Sequence, residues 1–196
     1  MWHACAHRII LARYEPAAHT HSFRSRHHAG FSATRAPHGR FGLFHRESAH
    51  MLIGIDPLLT PELLMHLSAM GHGEWVAVVD ANFTADFLAK GRPVVRLPGH
   101  SLERVSRAVL SVFPLAVDVD PPAAYMHVCH SAPSHRTAAQ QAVVDLVSHS
   151  MCKPVAVQAV ERFAFYERVK DASLIVQSGE GTAYGNALFC KGVILL

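Results

Sequence analysis

Regular alternation of apolar and polar residues begins near position 60 of this chain. Thr60-Pro61-Glu62 reads as an N-cap, a proline at the first helical position and an acid facing the helix dipole. Leu63, Leu64, Leu67 and Met70 then share one face at helical spacing, and Gly71 supplies the stop. Residues 75–79 form a short apolar run that predicts a strand ending at Asp80. Ser101 caps a second helix, in which Leu102, Val105, Val109 and Val112 keep helical spacing. Further on, residues 125–129 predict a strand, 137–147 a helix, 155–160 a buried strand and 163–170 a short helix. Residues 173–176 and 187–195 predict two closing strands. Strands alternating with helices point to the α/β class: a single three-layer α/β/α domain with a mainly parallel, Rossmann-like sheet.

The pattern does not extend upstream of Met51. Residues 1–50 hold nine His and seven Arg among Ala, Pro, Ser and Gly, and their apolar periodicity ends at Ile9, Ile10 and Leu11. Such a segment cannot bury enough surface to offset its ordering entropy. We therefore expect a disordered or spurious extension over 1–50 and a folded domain over 51–196, with Met51 as the functional start. An Arg-rich, acid-poor transit peptide and a His-rich metal-binding tract around His27 and His28 are the alternatives for the extension.

Composition narrows the functional classes. Of 196 residues, 50% are apolar and 17% charged, which suits a globular core. The net charge of +3 is unevenly placed, because residues 1–50 carry +5 and the rest −2. The body therefore gives no reason to expect a nucleic-acid partner. No apolar run approaches the ~20 residues needed to span a bilayer, so we expect a soluble, cytoplasmic protein without a membrane partner. Cys5, Cys129, Cys152 and Cys190 are far apart and form no C-x-x-C pair, which reads as free thiols rather than a metal or redox site.

Three places can carry chemistry at strand ends. Gly71-His72-Gly73 leaves an accessible imidazole between two glycines; it is either a proton donor and acceptor near neutral pH or a plain helix-ending turn. Asp80 can bind a hydroxyl, orient a histidine or cap the segment that follows. The run Arg162-Phe163-Ala164-Phe165-Tyr166-Glu167-Arg168 and the triplet Tyr184-Gly185-Asn186 offer a guanidinium fork, neutral hydrogen bonds and apolar ring faces. Taken alone they fit a solvated helix face over core aromatics better.

In order and spacing these fragments resemble one family. Met70-Gly71-His72-Gly73, Val79-Asp80-Ala81-Asn82-Phe83, the 162–168 run and Tyr184-Gly185-Asn186 are similar to the fucose mutarotase branch of the ribose pyranase/fucose mutarotase family. Pro57-Leu58, Pro61-Glu62-Leu63-Leu64 and Lys191-Gly192-Val193 extend the likeness from Met51 almost to the end. The ribose pyranase branch shares the Gly-His and Asp-Ala elements without the R-F-A-F-Y-E-R run, which favours the fucose side.

The resemblance implies an isomerase that interconverts the α and β anomers of a free monosaccharide, with L-fucose as the expected sugar and neither metal nor organic cofactor. It also implies a ring-shaped homodecamer with active sites between subunits. Carried over by motif, His72 is the acid/base residue, Asp80, Arg162, Tyr184, Gly185 and Asn186 bind the sugar, and Tyr166 is a possible addition. Thr84 stands where many relatives have proline and Asn82 where some have histidine, departures that bear on substrate preference rather than on the reaction. A ribose-type pyranase and a non-catalytic sugar-binding ring are the rival readings, and an anion or nucleic-acid binder working through the basic extension is the most distant one.

Overall fold

Thr60 opens the first helix of the computed structural model, in which residues 52–150 and 155–194 are described. The extension over 1–50, Met51, Cys5 and Cys152 lie outside those residues. The Leu63 N–H donates to the Thr60 hydroxyl at 3.2 Å, Pro61 follows as the first helical residue, and the result is α1, Pro61–Ala69. A cap of this kind stabilises a helix by about 1 kcal/mol. Met70 leaves the helix in an extended conformation, so α1 ends before Gly71, and the left-handed turn falls on Gly73 at φ 81°.

After α1 come β1 (Trp75–Val79), α2 (Ala85–Ala89), β2 (Val94–Leu97) and α3 (Leu102–Leu110). The rest of the chain forms β3 (Ala123–Met126), α4 (Ala138–Ser150), β4 (Val157–Val160), α5 (Arg162–Asp171), β5 (Leu174–Ser178) and β6 (Ala187–Cys190). Ser101 caps α3 as expected, its hydroxyl accepting the Arg104 N–H at 3.2 Å. Neither α2 nor β2 was expected, since five and four residues are too few to show a period.

The six strands form one sheet in the order β2-β5-β1-β6-β3-β4. β2, β5 and β1 pair in parallel, as do β3 and β4, whereas β6 is antiparallel to both β1 and β3. The sheet is thus mainly parallel with one reversed strand. The cause is the connection before β6. Residues 179–186 are too few for a crossover, so β6 starts at the sheet edge where β5 ends.

Alternate residues of each strand serve opposite layers. Val76, Val78, Leu174, Val176 and Phe189 pack with Leu63 and Leu67 of α1, Val105 and Val109 of α3, and Val143 and Val147 of α4. Ala77, Val79, Ile175, Leu188 and Met126 pack with Leu88 of α2 and with Phe165 and Val169 of α5. This is the expected three-layer α/β/α arrangement. The strand expected to be buried is only partly so: β4 lies at the sheet margin and leaves Gln158 and Ala159 exposed, while Val160 is buried.

Candidate functional site

The carboxyl ends of β1, β3 and β4 open on one side of the sheet, and the 179–186 loop returns to that same edge. Asp80 follows β1, Met126 ends β3, and Arg162 and Tyr166 lie in the first turns of α5 after β4. Together with Asn82, Phe83, Ala183, Tyr184 and Asn186 they line a pocket of about 230 Å³. That is the size of a site for one small molecule rather than a polymer.

Asp80 and Asn186 form its floor. The Asp80 N–H donates to the Asn186 Oδ1 at 2.9 Å, and the Asn186 Nδ2 donates back to the Asp80 Oδ2 at 2.9 Å. This reciprocal pair fixes the orientation of the amide. The Asn82 N–H donates to the other Asp80 oxygen at 2.9 Å. Asp80 is 6% exposed and Asn186 2% exposed. Burial pushes the Asp80 carboxyl above its ordinary range, while the bonds from Asn186 and Asn82 pull it back. A carboxylate has about four lone-pair positions, so Asp80 keeps acceptor capacity toward the pocket.

Gly185 runs beside this pair. A Cβ there would lie 2.7 Å from the Glu180 Cγ and 2.9 Å from the Thr182 carbonyl oxygen, so a side chain would force the 179–186 loop to shift. Tyr184 adopts φ 64°, a left-handed conformation that a tyrosine holds only when its surroundings impose it. Gln140 of α4 is one cause. Its side chain is fully buried, and its Nε2 donates to the Tyr184 carbonyl at 3.0 Å and the Met126 carbonyl at 2.6 Å. The neighbouring Cys129 side chain pushes the Tyr184 hydroxyl pKa up, while the positive charge of Arg162 acts the other way.

Arg162 forms the rim. Its Nε donates to the Tyr166 hydroxyl at 3.0 Å, and its guanidinium lies 5.4 Å from the Tyr166 ring centre and 5.7 Å from that of Phe163. The bond to the Tyr166 hydroxyl raises the arginine pKa further, so it is always charged. Phe83 braces Tyr166 edge-on at 5.5 Å.

Six of the seven residues singled out by sequence thus meet in one place: Asp80, Arg162, Tyr166, Tyr184, Gly185 and Asn186. His72 does not join them. It precedes β1 while Asp80 follows it, and a five-residue strand rising ~3.3 Å per residue separates the two by on the order of 17 Å. His72 instead faces the Lys191 carbonyl oxygen through Nδ1 at 3.1 Å and the Asp118 Oδ2 through Nε2 at 2.9 Å. Gln140 and Asp118 were not anticipated. For Gln140 the signal was present: it shares the buried stripe of α4 with Val143 and Val147 at helical spacing, an odd place for an amide. A larger depression of about 450 Å³ between α3 and α4 holds Glu103, Arg107, Asp145 and His149, but its charges are engaged locally: the Arg107 Nη2 donates to Glu103 at 2.6 Å and the Gln141 Nε2 to Asp145 at 2.8 Å. Among the described residues no cluster of three or more His, Cys, Asp and Glu is arranged to hold a metal ion. No described helix is long and apolar enough to cross a membrane.

Comparison with known proteins gives a consistent result. Residues 53–194 match the RbsD / FucU transport protein family. The chain is 37% identical over 150 residues to the fucose mutarotase of Homo sapiens, covering 74% of this chain and 96% of that protein. It is 37% identical over 143 residues to the L-fucose mutarotase of Glaesserella parasuis serovar 5, covering 73% and 96%. It also resembles the crystal structure of the Streptococcus pneumoniae fucose mutarotase in complex with L-fucose, with a TM-score of 0.67, 27% identity and coverage of 74% and 100%. With a match spanning most of its length and relatives above 30% identity along nearly their whole chains, this protein belongs to the RbsD / FucU transport protein family.

Proposed function

We propose that this protein is an isomerase, an L-fucose mutarotase that interconverts the α and β anomers of the free sugar. The observation that carries the reading is the small pocket built on the buried Asp80–Asn186 pair, in a chain so similar to named fucose mutarotases. Asp80 accepts sugar hydroxyls, Arg162 donates to them from the rim, and Tyr184 and Asn186 complete the polar ring beside the Gly185 backbone. Tyr166 holds Arg162 and adds a ring face. Phe83, Met126 and Ala183 give the pocket an apolar side. That side suits the methyl group of a 6-deoxyhexose such as fucose, which ribose lacks.

Mutarotation opens a hemiacetal and recloses it on the other face of the carbonyl. The ring oxygen must receive a proton as the anomeric hydroxyl loses one. The reaction is proton transfer throughout, and a positioned imidazole contributes about 10²–10⁴-fold. His72 is the acid in this scheme, and it reaches the sugar from a second copy of the chain. Its distance from Asp80 within one chain is what motivates that step. A closed ring of ten copies repeats the arrangement at every interface. We place the protein in the cytoplasm, where the thiols of Cys129 and Cys190, both free, stay reduced. Residues 1–50 take no part in the chemistry.

NMR magnetisation transfer between anomer signals tests the reading directly. Exchange of L-fucose should quicken with added protein, and more than that of D-ribose. Faster exchange of ribose alone would make the protein a pyranase, and no effect on either sugar would refute mutarotase activity.

A further inference from the structure

His72 and Asp118 are 46 positions apart in sequence, yet one strand end holds them together. β6 ends at Cys190, and the next residue, Lys191, bridges to Leu115. The Ala116 N–H donates to the Cys190 carbonyl at 3.0 Å, and the Gly192 N–H donates to the Pro114 carbonyl at 2.8 Å. A Cβ at Gly192 would lie 2.4 Å from the Leu115 carbonyl oxygen, so only glycine lets the two segments approach this closely. The same Lys191 carbonyl accepts the Gly73 N–H at 2.9 Å and faces the His72 Nδ1 at 3.1 Å. The loop bearing Asp118 and the loop bearing His72 are therefore fastened to one residue.

The ring nitrogens then meet two acceptors. With Nδ1–H donating to the Lys191 carbonyl, a lone pair on Nε2 would point at a carboxylate oxygen 2.9 Å away. The contact is attractive only when a proton lies between Nε2 and Oδ2. Other charged groups nearby are already engaged. The Lys191 ammonium donates to the Leu67 and Met70 carbonyls at 2.7 and 2.5 Å. Glu74 accepts from the Gly71 N–H and the Ser173 hydroxyl. The Cys190 thiol is kept protonated by burial and by the charge of Asp118. An exposed ion pair of this kind adds little to stability. The side chains are 40% and 59% exposed, so both are open to an approaching molecule.

We propose that Asp118 is the base partner of His72, and that the pair acts on the sugar as one bifunctional proton shuttle. The idea rests on the mutarotase reading, with His72 as the acid. In the opening step Nε2 gives its proton to the ring oxygen and the bond from that oxygen to the anomeric carbon breaks. The anomeric hydroxyl passes its proton to Oδ2 as its carbon–oxygen bond becomes double. The carboxylic proton then crosses the 2.9 Å gap back to Nε2, which restores the pair. Reclosure on either carbonyl face reverses these moves. Two donors and acceptors side by side match two oxygens carried on one carbon, so neither transfer waits for water.

The test compares L-fucose anomer exchange by wild type, Asp118→Asn and Asp118→Ala across the neutral pH range, with His72 ring protonation read from ¹⁵N chemical shifts. Asp118→Asn keeps the side-chain shape but cannot take the proton. Its maximal exchange rate should fall on the order of 10–10²-fold at unchanged KM, as expected for losing one acid–base partner. One limb of its pH profile should vanish. Added formate should partly restore Asp118→Ala, and Gly192→Ala should slow exchange without altering either reacting group. An Asp118→Asn rate and pH profile equal to wild type would overturn the shuttle and leave His72 working with water. A wild type that exchanges no fucose would instead overturn the mutarotase reading, and the shuttle with it.

Discussion

Replacing Gln140 with methionine keeps the volume and flexibility of the side chain but removes both of its polar ends. Three bonds are lost: the Nε2 donations to Met126 at 2.6 Å and to Tyr184 at 3.0 Å, and the Thr137 N–H donation to Oε1 at 2.9 Å. Gln140 and Met126 are shielded from solvent, so water does not replace the amide at the Met126 carbonyl. A buried acceptor stripped of its donor costs about 1–3 kcal/mol. The Thr137 N–H, at the start of α4, can still find solvent. The loss is then roughly 2–4 kcal/mol, near the lower end for the two carbonyls together because Tyr184 lies close to the surface. For a domain of this size that lowers Tm by roughly 5–15 °C. Function should suffer separately, because the Tyr184 φ of 64° loses a support and Asn186 follows it by two residues. Thermal unfolding and anomer exchange measured on the same preparation read both effects, with KM for L-fucose rising more than the maximal rate falls. A variant with the wild-type Tm and KM would show that Gln140 is a passenger in the core and that the 179–186 loop holds itself.

The remaining expectations are briefer. His72→Asn should slow fucose exchange by roughly 10²-fold or more while circular dichroism and oligomer mass stay unchanged; a well-folded variant at full rate would remove His72 from the mechanism. Asp80, whose folded pKa is raised chiefly by burial, binds its proton more tightly folded than unfolded. Its contribution to stability is therefore complete below the ordinary aspartate value and is lost as pH rises through the higher folded value. Urea midpoints of wild type minus Asp80→Asn should accordingly fall as pH rises through that window, and a flat difference would contradict the assignment. A chain starting at Met51 should keep the full rate and the same assembly, with size-exclusion chromatography and exchange kinetics as the readout.

Much of this was legible before any coordinates. Thr60-Pro61-Glu62 and Ser101 mark helix starts because capping is local chemistry, and Trp75–Val79 is a strand because its apolar run is continuous. What was hidden depends on contacts between distant parts of the chain. The exposure of Gln158 follows from β4 lying at the sheet margin, which no window of sequence contains. The reversal of β6 follows from where β5 ends and how short its exit loop is. At the site, Asp80, Arg162, Tyr184 and Asn186 could be proposed from their order and spacing, since each stands at or near a strand end. Asp118 could not, because its place beside His72 is set by the Leu115–Lys191 bridge and by the missing side chain of Gly192. The order of residues along β1, by contrast, already puts His72 and Asp80 at opposite ends of that strand.

That separation gives the account its sharpest test. On the proposed reading, His72→Asn and Asp80→Asn should each disable every site when alone, one by removing the donated acid and the other by altering the sugar pocket. If each site draws these two residues from different copies, unfolding the variants together in equal amounts and refolding them should rescue some sites. About a quarter of the interfaces would then pair an intact His72 with an intact Asp80 when the copies mix at random. Fucose anomer exchange should accordingly rise to about a quarter of the wild-type rate, well above either variant by itself. If native mass spectrometry shows mixed assemblies and exchange stays at the level of the single variants, His72 and Asp80 do not act on the same sugar across an interface, and the shared site is wrong.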